Sequence, residues 1–214
     1  MSMLKPTLGR PKNLKKRQDI LQAAAELFPA KGFANVSMME IAERAKVSKL
    51  TLYSHFNDKE DLFTQSVIDC CQQQLPPSSF QLPANLSLEQ ALIAIGNGFL
   101  ELVMDDKAIS LHRMMIAQTS IDIQQSELFF KVGPERMLTE MQEFLVKANS
   151  SGRLNIAQVE HAAEHFFCLL KGLSHMRVLM GLSKAPSKQA REKHVAEVVT
   201  LFIRAFQPEQ PLAE

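Results

Sequence analysis

Glycine and proline are scarce in this chain of 214 residues, 8 and 10 in number, which excludes a collagen-like or low-complexity disordered polymer. Cysteine is scarcer still. Cys70, Cys71 and Cys168 make no C-x-x-C pair, and an odd number without framework spacing points to a reducing compartment. No charged-then-apolar leader pattern opens the sequence. The longest apolar stretch, 88–104, is broken by Glu89, Gln90, Asn97 and Glu101, so it is not a membrane span. A cytoplasmic protein with no membrane partner is expected. Alternating strand patterns, Asn-Gly or Asp-Gly hairpin turns and internal repeats are missing as well. Helical periodicity remains, and the fold class it predicts is all-α.

Net charge is nearly absent too, at +1, but its distribution is uneven. Residues 1–60 hold 11 Lys and Arg against 6 Asp and Glu, and the remainder 13 against 17. Within 1–17 stand Lys5, Arg10, Lys12, Lys15, Lys16 and Arg17, with no acid among them. A basic head on an acidic body points to a polyanionic partner for the head. Hydrophobic residues at 46% and charged residues at 22% are otherwise ordinary for a globular chain.

The periodicity predicts a helix over 13–31 with Ile20, Leu21, Ala24, Leu27 and Phe28 on one face. Gly32 reads as its left-handed cap, and Pro29 as a reason for it to loosen early. Ser37 with Glu40 reads as a capping box for a short helix, and Ser48 caps a second one, "KLTLYSHF". Asn57 with Glu60 begins a helix that runs to about Leu75. "LPPSSFQLP", 75–83, reads as a linker and candidate domain boundary. Further helices are expected over 87–104, 106–118, 134–149, 156–182 and 186–206, with a turn at 122–131. Gly96 and Gly98 should weaken or bend the first of these, either to make room for a ligand or for packing. The division expected is 1–60 for the arm and head, 61–208 for the body and 209–214 for a tail.

Two short helices joined by a tight turn beside a basic arm suggest a helix-turn-helix reader of double-stranded DNA, although such pairs also occur as plain core structure. The wording of 17–63, "RQDILQAAAELFPAKGFANVSMMEIAERAKVSKLTLYSHFNDKEDLF", resembles the DNA-binding head of the tetracycline-repressor (TetR) family. The resemblance is carried by Ile-Leu-x-Ala-Ala-x-x-Leu-Phe, Gly32-Phe33, Ser37, Ile41-Ala42, Val47-Ser48, Thr51-Leu52-Tyr53, His55-Phe56, Lys59-Glu60 and Leu62-Phe63. "GRPK", 9–12, is similar to the arm often found ahead of that head. The body resembles the family's ligand-binding part more loosely. One departure stands in the turn, which usually reads Ala-Gly-Val and here reads Ala45-Lys46-Val47. If position 46 is left-handed, a residue other than glycine costs about 1–2 kcal/mol there.

On the second short helix, Lys49 and Thr51 face outward from Leu52 and Phe56, so they are candidates for base edges: Lys for guanine O6 and N7, the Thr methyl for a thymine methyl. Leu50 and Ser54 are further candidates. The resemblance implies phosphate contacts through Tyr53 and His55. The Ser37 hydroxyl and Lys59, at the start of the following helix, are placed for phosphates, and Arg10 and Lys12 for the minor groove.

The resemblance also implies a homodimer on a palindromic operator, usually as a repressor, and a body that holds a small-molecule inducer and passes its effect through the helix 57–75. Its dimerisation element would be the last two helices, carrying Phe166, Leu169, Leu170, Leu173 and Met176, then Val195, Val198, Val199, Phe202 and Phe206. For the pocket, Met104, Met115, Met141 and Phe166 are candidate lining, with His112 and His175 as polar anchors. A methionine-rich stretch suits an adaptable pocket or simply a core.

"HAAEH", 161–165, carries the inverted zinc-peptidase spacing, with His161 and His165 four apart and Cys168, Gly172 and His175 continuing the row. Its position in the expected dimerisation helix favours packing histidines. A metal-sensing regulator and, more remotely, a zinc hydrolase are the alternatives. No catalytic residue and no cofactor is implied.

Overall fold

The computed structural model describes residues 13–82, 86–118 and 123–208, and its helices are α1 (Leu14–Lys31), α2 (Met38–Arg44), α3 (Lys49–His55), α4 (Lys59–Gln74), α5 (Leu88–Val103), α6 (Asp106–Gln118), α7 (Ile123–Phe130), α8 (Arg136–Ser150), α9 (Val159–Leu179) and α10 (Lys188–Ala205). The described residues contain no strand, so the chain is all-α. None of the described helices is long and apolar enough to cross a membrane. Contacts divide the chain into a smaller unit ending at Ser66 and a larger one beginning at Val67, a division that falls within α4. Arg10, Lys12 and the tail 209–214 lie outside the described residues.

In the smaller unit, α1 starts where the Asn13 side chain accepts from the N–H groups of Lys15 and Lys16. Its buried face is Ile20, Leu21, Ala24 and Phe28. Pro29 has no N–H to give the preceding turn, yet the helix continues to Lys31. Gly32 takes a φ of 83° with a ψ of 147°. It is therefore an extended positive-φ residue that only glycine adopts readily, not the left-handed cap expected. Phe28, Phe33 and Phe63 meet with each pair of ring centres 5.4 Å apart. Ile41, Leu52, Phe56 and Leu62 complete this core.

Ser37 and Ser48 cap α2 and α3 by accepting from Glu40 and Thr51 N–H groups, both at 3.1 Å. The reciprocal half of the expected box is absent from the α2 cap. The Glu40 carboxylate turns to the Lys31 ammonium instead, and that hydrogen bond is the main reason its pKa lies below the ordinary value. The start of α4 is one residue later than expected. Asp58, not Asn57, accepts from the Asp61 N–H at 2.7 Å, and Asp61 reaches back to the Asn57 N–H.

In the larger unit α5 is buried on most sides, through Leu92, Ile95, Phe99, Leu100, Leu102 and Val103, and packs against α9 and α10. Neither Gly96 nor Gly98 interrupts it. A Cβ on Gly98 would stand 2.8 Å from the Gln74 carbonyl oxygen, and one on Gly96 2.8 Å from Val195, so both glycines serve close approach. Residues 75–82 are not a free linker: Pro77–Phe80 forms a 3-10 turn, and Leu75 and Phe80 are in the body's core. Nor is there a simple turn before α8. α7 passes into α8 through a π turn, Lys131–Glu135, that contains Pro134. The missing proline N–H breaks the α-helical ladder, and widening the turn is the local remedy. In α9, Gly172 takes φ 49° and ψ −164°, which kinks the helix in its second half.

Candidate nucleic-acid interface

The turn between α2 and α3 is a helix C-terminus closed by two backbone bonds, Val47 N–H to Ala42 O at 2.9 Å and Lys46 N–H to Glu43 O at 3.0 Å. Lys46 occupies the position of this motif that requires a left-handed residue, and its φ is 55°. The Ser48 cap then launches α3. Buried Leu52 and Phe56 fasten the helix to the core, so Lys49, Leu50, Tyr53 and Ser54 are left on the outer side. Leu50 is 83% exposed. The Lys49 ammonium stands 5.8 Å over the ring of Tyr53, the chain's one tyrosine. Thr51 is half-buried, its hydroxyl 2.9 Å from that of Ser48, and Ser54 donates to the Thr51 carbonyl at 2.7 Å. Ser37 stays exposed with its oxygen on the Glu40 N–H. His55 is half-buried, with its ring centre 6.2 Å from that of Phe56.

Lys59 does not present its ammonium to an outside anion. The group donates to the carbonyls of Phe33 and Val36, at 2.9 and 3.1 Å, with that of Ala34 at 3.4 Å, and lies 4.5 Å over the Phe33 ring. Three carboxylates, Asp58, Glu60 and Asp61, also surround the first turn of α4. That helix start is a poor place for a phosphate, against the expectation.

Sequence reasoning counted Lys15 and Lys16 only among the basic residues of 1–17. They lie in the first turn of α1 and, with Asn13, Asp19, Arg44 and Lys46, line an open groove of about 580 Å³ on the smaller unit. Arg44 is bound there to Glu26 at 2.6 Å. Arg17 faces inward, to Gln65 at 2.9 Å and over Phe56. The spacing of Lys15 and Arg44 in the sequence gave no sign of this meeting; only the α1–α2 packing brings them together.

In the body, Met104, Met141 and Phe166 are packed in the continuous core, and Met115 is buried. Met176 and Met180 are exposed, so the methionines do not form one lining. His112 and His175 do meet, edge to face, with ring centres 5.9 Å apart, and Phe129 stands against His112 at 5.3 Å. Burial pushes the His112 pKa down to about 4, with the charges of His175 and Lys171 adding to it. Burial and then Lys171 lower that of His175 as well. Nearby, Arg113 ties α6 to the end of α9 by donating to the carbonyls of Leu179 and Val178 at 2.8 and 2.7 Å.

His161 and His165 are exposed on α9, their rings 6.5 Å apart. His175 does not continue their row, because the kink at Gly172 intervenes and His175 faces α6. Among the described residues no three His, Cys, Asp or Glu side chains are grouped to hold a metal ion. The expected dimer residues also divide. Phe166, Leu170, Val195, Val198, Val199 and Phe202 close the body's own core, whereas Leu169, Leu173 and Met176 are exposed, together with Met180, Leu182 and Leu201.

Residues 90–208 match the family profile described as AefR-like transcriptional repressor, C-terminal domain, and residues 20–65 that of bacterial regulatory proteins, tetR family. Over 68 residues, 32% of this chain and 34% of the relative, the chain is 40% identical to the uncharacterized HTH-type transcriptional regulator YdeS of Bacillus subtilis. Over 49 residues, 23% of either chain, it is 45% identical to the HTH-type transcriptional regulator AcrR of Shigella flexneri. The chain thus spans about a third or less of the length of these curated relatives. Solved structures are matched over much more. A TetR-family transcriptional regulator from Mesorhizobium loti superposes with a TM-score of 0.76 at 28% identity, over 93% of this chain and all 100% of that one. The Flavonoid-responsive Regulator FrrA gives 0.69 at 27% identity, over 92% and 100%.

Proposed function

Because this chain belongs to the TetR family of helix-turn-helix transcriptional regulators, we propose that it acts as a homodimeric repressor that reads a palindromic operator through α3 and is released by a small organic molecule held in the body. The observation that carries the DNA-reading part is the outer side of α3. Lys49, Leu50, Tyr53 and Ser54 project from a helix whose other side is anchored by Leu52 and Phe56. Such a helix enters the major groove, and its first residues meet base edges. Lys49 and Leu50 discriminate bases, with Thr51 beside them, and the Tyr53 hydroxyl and Lys46 ammonium hold phosphates. Two-fold symmetry would repeat the reading about 34–36 Å along the duplex.

Repression is favoured by the match to the AefR-like repressor profile. A small organic inducer is favoured by the likeness to FrrA, which responds to flavonoids. No catalytic step is assigned to the protein, and the separated exposed histidines of α9 give no support to a hydrolase.

Selection of genomic fragments by the purified protein at near-physiological salt, followed by sequencing, tests the reading. A palindrome should be recovered. Lys49→Ala should change the preferred bases, at about 1–3 kcal/mol per lost contact, while Tyr53→Phe should weaken all sites alike. Recovery of random fragments only, at affinities that do not distinguish sequences, would overturn it.

A further inference from the structure

The outward side chains of α3 differ in what they already hold. The Lys49 ammonium lies back over the Tyr53 ring at 5.8 Å, so these two form one row along the helix. Leu50 and Ser54, again four apart, form the other. The Ser54 hydroxyl spends its proton on the Thr51 carbonyl at 2.7 Å. Thr51, which the sequence offers for a thymine methyl, is half-buried, and its hydroxyl stands 2.9 Å from that of Ser48. Leu50 is the second residue of α3 and is 83% exposed. We propose that Leu50 reads a thymine in each half-site of the operator, through the C5 methyl group in the major groove. The proposal rests on the reading of α3 as the helix that enters the groove.

The chemistry of the base edges selects thymine. In the major groove guanine shows acceptors, adenine an acceptor and a donor, and cytosine a donor; thymine alone adds a methyl group. An aliphatic side chain has no hydrogen bond to offer the first three. Covering them strips water from a polar edge and puts nothing in its place. Against the thymine methyl the same side chain buries apolar surface on both partners. One residue therefore favours one base and penalises the others, and discrimination needs both effects. Its place in the helix agrees, because the first residues of a reading helix are those that reach base edges. The neighbouring charges favour a duplex over an apolar partner. Lys46 and Lys49 are exposed on the same short stretch as Leu50. A protein or acyl-chain surface laid over this stretch would strip water from their ammonium groups, whereas a duplex brings phosphates to pair with them.

Uracil in place of thymine removes the methyl group and nothing else, so it tests this contact alone. The operator recovered by genomic selection is synthesised with each thymine of one half-site replaced by uracil in turn. Affinities are measured for the full unaltered chain and for Leu50→Ala, at a salt concentration low enough for both to bind. At one thymine, uracil should weaken the unaltered chain about fourfold, the effect of one buried methyl group. Leu50→Ala should bind thymine and uracil alike at that position. Leu50 is exposed, so the variant should fold as the unaltered chain does. Half-sites without thymine, an operator indifferent to uracil at every position, or a uracil effect that persists in Leu50→Ala would each overturn the contact and leave the reading of DNA by α3 standing. Failure to recover any operator would overturn that reading, and the contact with it.

Discussion

Lys46 has two opposed roles. Its backbone sits at φ 55° in the turn between α2 and α3, where a side chain costs about 1–2 kcal/mol relative to glycine. The residue is exposed just ahead of α3, where the proposed reading of DNA sets a phosphate. The two effects can be separated. Lys46→Gly should raise the stability of the smaller unit by about 1 kcal/mol in denaturant titration. The same change should weaken DNA binding at every sequence and reduce the slope of log affinity against log salt by about 1. Higher stability with an unchanged salt slope would remove Lys46 from the interface. Lys59 illustrates the opposite error. From the sequence its charge at a helix start reads as a phosphate ligand, but its ammonium closes the α1–α2 loop through the Phe33 and Val36 carbonyls. A charge count cannot distinguish an outward lysine from an inward one, because the stem can run either way.

At the scale of elements, glycine position decides more than glycine propensity. Gly98 lets α5 approach the end of α4 so closely that a Cβ would meet the Gln74 carbonyl oxygen at 2.8 Å and Leu75 at 2.9 Å. Alanine would add helix propensity worth up to about 1 kcal/mol, but backbone cannot yield as a side chain can, and overpacking costs about 1–3 kcal/mol. Gly98→Ala should therefore destabilise the body, lowering its thermal midpoint by about 2–6 °C, and calorimetry would show it. A midpoint that rises would mean the segment 74–75 moves aside without cost. Caps were legible in advance at Ser37 and Ser48, because a hydroxyl three residues ahead of an N–H is a local arrangement. The π turn at Pro134 and the kink at Gly172 were not, since each depends on whether tertiary packing keeps a helix going past its breaker. The segment 75–82 looked like a linker for the same reason: its prolines and serines are local signals, while the burial of Leu75 and Phe80 comes from the body around them.

For the whole molecule, the head was legible down to the outer residues of α3, because its motif ties each residue type to a turn, a cap or a core position. The body was legible as helices but not as faces. α9 and α10 are apolar on more than one side, and periodicity alone cannot say which side closes the core. The packing resolves this. Val195, Val198, Val199 and Phe202 are spent within the body, whereas α9 leaves Leu169 exposed before its kink and Leu173 and Met176 after it, with Met180 exposed at its cap. Leu173 is 81% exposed and Met180 65%, so these two side chains contribute little packing within one chain. Several large apolar side chains exposed on one element point to an association surface, and a two-fold axis would bury them against their own copy. The dimer prediction therefore narrows to Leu169, Leu173 and Met176 among the residues first named, with Met180 added. Leu169→Glu with Leu173→Glu should leave folding intact, because both side chains are exposed already. Sedimentation should find a dimer for the unaltered chain and a monomer for the variant. Operator affinity should fall by at least about a hundredfold, since a lone head keeps only its own half-site and loses the gain from linked binding. A variant that remains dimeric would place the interface elsewhere on the body. A monomeric variant that binds the operator undiminished would mean that one head suffices and that the two-fold reading of the DNA is wrong.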